Sequence, residues 1–80
     1  MHEFYIVNTS EEIKLLLAFG EHLKEIRKSK GFSQENLAND IGVEISQISR
    51  IERGIINTSV LNTFKIAKAL KIEVSDLFKF

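Results

Sequence analysis

Three glycines, Gly31, Gly42 and Gly54, divide the middle of this sequence into short segments whose apolar residues recur at helical spacing. Glycine reaches the left-handed backbone conformation that a helix end often needs, so each marks a stop or a tight turn. Ser33 can cap a segment from Gln34 to about Asp40, with Glu35 in the first turn where the helix dipole favours negative charge. Beyond the turn at Gly42, a third segment spans roughly Ile45 to Arg53. Upstream, Thr9 followed by Glu12 fits a capping box, and Ile13, Leu16, Leu17, Gly20, Leu23 and Arg27 continue at helical spacing. This predicts one long helix, or two separated near Gly20, ending near Lys30. Downstream, a helix starts at Thr58 or Ser59 with Val60, Leu61, Phe64, Ala67 and Leu70 along one stripe, and Ser75 caps a last turn holding Leu77 and Phe78. The sequence contains no proline to interrupt these segments. The expected fold class is therefore all-α, with Phe4-Tyr5-Ile6-Val7 as a short strand-like leader.

Eighty residues allow one domain, whose core must be small and economical. There is no cysteine, and His2 and His22 make no imidazole cluster, so neither a disulfide framework nor a metal site is expected. No cofactor is expected either. The absence of a membrane-length apolar run and of a secretory n-region predicts a cytoplasmic protein that does not enter membranes. Formal charge sums to zero, with 11 Lys and Arg against 11 Asp and Glu. Glu3, Glu11 and Glu12 oppose only Lys14 in the first twenty positions, which leaves the remainder with a surplus of two positive charges. That distribution is compatible with a DNA partner without pointing to one.

The informative stretch is Ser33 to Gly54, two short helices joined by a glycine-containing turn, the pattern of a helix-turn-helix whose second helix enters the major groove. Ala38 is small where the helices approach, and Leu37, Ile41, Val43, Ile48 and Ile51 form a shared apolar face. At about 100° per residue, Ile48, Ile51 and Glu52 fall on one side of the third helix and Ser46, Ser49, Arg50 and Arg53 on the other. Arginine can grip guanine with two hydrogen bonds, and serine adapts to several bases. Ile45 can meet a thymine methyl, and Glu44 can accept from cytosine or simply favour the helix N-terminus. A polar outer face of this kind is equally what a solvated amphipathic helix presents.

From Phe19 to Phe78 the chain resembles the Cro and phage-repressor (Xre) family of helix-turn-helix regulators, including the small controller proteins of restriction-modification systems. The resemblance is carried by Leu23-Lys24-Glu25-Ile26-Arg27, Gly31-Phe32-Ser33-Gln34-Glu35-Asn36-Leu37-Ala38, Ile48-Ser49-Arg50-Ile51-Glu52-Arg53-Gly54 and Ala67-Lys68-Ala69-Leu70, in that order. It implies a compact five-helix domain over residues 19–80 preceded by an extension over residues 1–18. It implies that Gln34 contacts phosphate, that Ile45, Ser46, Ser49 and Arg50 face bases with Gln47 nearer the backbone, and that Asn57 lies in a phosphate-facing loop. Backbone N–H groups at Thr58 and Ser59 can also meet phosphate. Arg27 and Glu52 are implied to form an internal ion pair. The chain departs from the family pattern at Ile55-Ile56, where basic or polar residues are common, at Thr58 in place of proline, and at Glu44 in place of a Ser or Thr cap.

The expected function is sequence-specific binding to double-stranded DNA as a transcriptional regulator, most simply a repressor. The competing reading is an antitoxin-like protein-interaction module whose DNA binding is autoregulatory. An enzyme is not expected, for want of a phosphate loop or a catalytic constellation. A homodimer is expected, because Phe4, Tyr5, Ile6 and Val7 have no strand to pair with, Ile55 and Ile56 form an apolar spot, and Phe78 and Phe80 crowd the C-terminus.

Overall fold

The computed structural model describes residues 10–80, so the leader Phe4 to Val7 and the Thr9 capping box lie outside the described residues. The described chain is built of four α-helices, α1 (Ser10–Ser29), α2 (Gln34–Ile41), α3 (Ile45–Glu52) and α4 (Val60–Leu70), followed by a 3-10 helix (Val74–Phe78). The fold is all-α as expected, and the fifth helical element is a 3-10 turn.

α1 runs unbroken through Gly20. Of the two alternatives the sequence left open, the structure takes the single helix, and the glycine serves a tertiary purpose. Gly20 is pressed against the C-terminal end of α3, where a Cβ would fall on the carbonyl oxygens of Ile51 and Glu52. Only glycine lets the two backbones approach this closely, which offsets its poor helix propensity. Beyond the end of α1 at Ser29, Gly31 is left-handed at φ 79°, and the Phe32 N–H closes the turn on the Arg27 carbonyl at 3.0 Å.

Local chemistry explains the remaining ends. The Ser33 side chain accepts from the Asn36 N–H at 2.9 Å while Asn36 Oδ1 accepts from the Ser33 N–H at 3.2 Å, a capping box with asparagine at its third position. Gly42, at φ 76°, ends α2. Ser59 caps α4 by accepting from the Asn62 N–H at 3.0 Å. The last turn is preceded by Glu73, not Ser75, which corrects the expected cap. Asp76 accepts from the Glu73 N–H at 3.0 Å and from Lys79 Nζ at 3.0 Å, and these two bonds, the lysine first, hold its carboxyl below the usual carboxylate range.

The core gathers one apolar stripe from each helix, with Leu23, Leu37, Ile48, Ile66, Leu70 and Leu77 fully buried. The stripe expected on α4 is corrected here. Its buried positions are Thr63, Ile66, Ala67 and Leu70, whereas Val60, Leu61 and Phe64 are exposed. Thr63 takes an inward place because its hydroxyl donates to the Val60 carbonyl at 2.6 Å, which removes the cost of burying it. α4 thus carries more apolar residues than one core face can use.

The C-terminus is anchored on α1. Phe78 and Phe80 pack on Phe19 with ring centroids 5.3 and 6.4 Å apart, and His22 Nε2 lies 2.7 Å from the Asp76 carbonyl oxygen. Among the described residues, no helix is long and apolar enough to cross a membrane.

Candidate nucleic-acid interface

The turn between α2 and α3 is three residues long, Gly42 to Glu44, and the Val43 N–H bonds back to the Ala38 carbonyl at 3.0 Å. Ala38 is buried together with Leu37 and Ile41, so α2 lies tightly over α3 and fixes the direction in which α3 leaves the body. α3 buries Ile48, Ile51 and Glu52. Its other side leaves Ile45, Ser46 and Arg50 exposed, with Gln47 and Ser49 half-buried at the flanks. Arg53 is the exposed C-cap residue, and its Nε donates to the Ser49 carbonyl at 3.3 Å. Among the described residues, Arg50 has no carboxylate partner. Glu44 occupies the N-cap position without a side-chain capping bond, so its exposed carboxylate is free to meet a ligand or simply to favour the helix N-terminus.

Two short helices at this spacing, the second presenting arginine and serine outward from an otherwise buried stripe, form the helix-turn-helix motif. The helix-turn-helix family HTH_3 matches residues 23–77, which takes in all of α2, α3 and α4. The chain belongs to the HTH_3 family. It is similar to control protein C.BamHI of Bacillus amyloliquefaciens, with 45% identity over 65 residues that cover 80% of each chain. It is also similar to control protein C.MunI of a Mycoplasma species, with 41% identity over 63 residues, covering 78% of this chain and 85% of that one. Among solved structures, the restriction-modification controller protein C.AhdI from Aeromonas hydrophila matches with a TM-score of 0.77 at 46% identity, over 79% of this chain and 96% of that one. This HTH_3 domain is accordingly a DNA-binding transcriptional regulator and not an enzyme.

In this HTH_3 domain the implied ion pair is present and extends further than the sequence indicated. Arg27 Nε donates to Glu52 Oε2 at 2.6 Å and Nη2 to Oε1 at 3.0 Å, while Nη1 donates to the Phe32 carbonyl at 2.8 Å. Both residues are buried, at 5% exposure each. Gln34 Nε2 donates to the same Glu52 Oε1 at 2.9 Å. One carboxylate at the end of α3 therefore holds α1 through Arg27 and α2 through Gln34. The sequence offered no sign of the Gln34 bond, since 18 residues separate the partners.

The loop before α4 carries a second set. Asn57 Oδ1 accepts from the Thr58 backbone N–H at 2.8 Å, so that N–H already has a protein partner. Thr58 Oγ1 is buried and makes no hydrogen bond among the described residues, which places the hydroxyl inside the loop and not on its outer surface. The residues expected at a subunit interface divide as follows. Ile55 is exposed, whereas Ile56, Phe78 and Phe80 line an apolar groove of about 530 Å³ together with Leu15 of α1 and Phe64 of α4. Leu61 is exposed on α4 as well, and neither it nor Phe64 was expected at the surface.

Proposed function

We propose that this protein is a homodimeric repressor that reads a palindromic operator, with one α3 in each of two successive major grooves. The carrying observation is the outward face of α3, where Ile45, Ser46, Ser49, Arg50 and Arg53 lie on one side with Arg50 free of any carboxylate among the described residues. Ser46 and Arg50 supply donors and acceptors to base edges, Ile45 an apolar contact, and Glu44 an acceptor for cytosine. Gln34, Gln47 and Asn57 position the protein on phosphates. Control protein C.BamHI and controller protein C.AhdI support a role in setting the expression of restriction-modification genes.

Dimerisation is supported by the apolar groove. Phe64, Phe78 and Phe80 each remain more than half exposed beside it, the exposed Val60 lines it too, and Leu61 is a further exposed apolar side chain on α4. Contiguous apolar surface of this kind on so small a protein is best covered by a second copy. Two copies also add their DNA contacts, which offsets the zero net charge of the single chain. No cofactor enters this reading, and its setting is the cytoplasm.

Selection of bound duplexes from a random pool tests both parts. The expected result is an inverted repeat whose half-sites lie about 34–36 Å apart, one helical turn. A pool without enrichment would falsify sequence-specific reading, and enrichment of a lone half-site would remove the dimer.

A further inference from the structure

A second cleft, about 640 Å³ in volume, opens between α1, α2 and α3 and shares two lining residues, Ser49 and Arg53, with the reading face. Ser49 of α3 and the C-cap residue Arg53 line it, with Gln34 from α2 and Glu21 and Lys24 from α1. Its floor is the Glu52 carboxylate, which Arg27 already neutralises through two hydrogen bonds. Lys24 is half-buried here, and among the described residues it has no carboxylate within ion-pair distance. Arg53 has none either. Two cations without an ion-pair partner among the described residues therefore line the same cleft as the Gln34 amide, which the proposed function places on phosphate, with Glu21 as the opposing charge among the lining residues.

We propose that this cleft seats one phosphate of the DNA backbone, with Lys24 of α1 as a phosphate-binding residue acting beside Gln34 and Arg53. Glu21 opposes the anion and moderates its hold. The proposal rests on the DNA-reading role argued above and adds a third helix to the interface. Glu52 takes part as a positioning residue. By accepting one N–H of the Gln34 amide, it leaves the other N–H and the carbonyl oxygen in a fixed direction, and its own charge is cancelled by Arg27.

The test is titration of the full chain against a duplex bearing the selected motif, between 50 and 200 mM salt. Lys24→Met keeps the aliphatic stem and removes the charge. Loss of one phosphate contact lowers the salt slope by about 0.9 per bound protomer, so the deficit of Lys24→Met shrinks about 3.5-fold per protomer across that range. Base preference stays that of the wild type, Lys24→Arg restores both affinity and slope, and Glu21→Gln binds more tightly than the wild type at low salt. A Lys24→Met protein with wild-type slope and affinity overturns the Lys24 assignment alone. A changed base preference in that variant overturns it too, because it would make Lys24 a base reader. Wild-type protein that binds no duplex overturns the regulatory reading and this proposal with it.

Discussion

Arg27 and Glu52, 25 positions apart in the chain, are joined by two hydrogen bonds of 2.6 and 3.0 Å in an almost fully buried site. The geometry is bidentate, and the third guanidinium contact goes to the Phe32 carbonyl where α1 turns toward α2. Removing one partner leaves an uncompensated buried charge, which typically costs about 3–5 kcal/mol. Arg27→Met and Glu52→Gln are each expected to lose stability on that scale in urea unfolding. The double variant Arg27→Met with Glu52→Leu is expected to recover much of the loss, since no charge then remains buried. Single variants as stable as the wild type would show that the pair fixes geometry without holding the fold together.

Gly20 makes a separate prediction about α1. An added methyl meets the carbonyl oxygens of Ile51 and Glu52, so Gly20→Ala must push α1 away from the end of α3. Helix propensity alone favours alanine by about 1 kcal/mol, whereas overpacking of this kind typically costs about 1–3 kcal/mol. The contact is with backbone, which yields poorly, so net destabilisation is expected. Differential scanning calorimetry decides the matter, and a raised melting temperature would refute the close approach.

Positioning and reading residues are expected to separate cleanly. Arg50→Ala should cost about 1–3 kcal/mol on the best site and much less on scrambled DNA, relaxing the preference at one base pair. Gln34→Ala should weaken good and poor sites to a similar extent, because phosphate contacts carry no base identity. Competition binding with a set of single-base operator variants measures both. A Gln34→Ala protein with altered preference and unchanged general affinity would contradict its assignment.

The surface of α4 yields the test of self-association. Phe64→Ser and Leu61→Ser place a polar group on positions that are already exposed in the single chain, so the fold should keep its stability. Association should weaken, read as a shift toward monomer in analytical ultracentrifugation together with loss of binding to the inverted repeat. If both variants sediment as the wild type does, the second copy must sit elsewhere.

Much of this protein could be read along the chain because the deciding forces act over a few residues. Ser33, Gly42 and Ser59 mark helix ends through bonds that span four positions or fewer, and their bounds in the structure match the sequence reading closely. The spacing of Ile48, Ile51 and Glu52 likewise places the outward face of α3 without knowledge of the rest. The family resemblance added the Arg27–Glu52 pair, which periodicity alone does not reveal.

Tertiary packing decided what depends on partners distant in sequence. Gly20 could be a break or a close contact, and only the approach of α3 makes it the latter. On α4, hydrophobicity favoured Val60, Leu61 and Phe64 for the core, yet the face that meets α2 and the C-terminal turn buries Thr63, Ile66, Ala67 and Leu70 instead. The bond from Gln34 to Glu52 and the convergence of Lys24 and Arg53 on one cleft arise in the same way. A sequence states which residues a helix can present, but the rotation of each helix about its axis is set by how all of them share one small core.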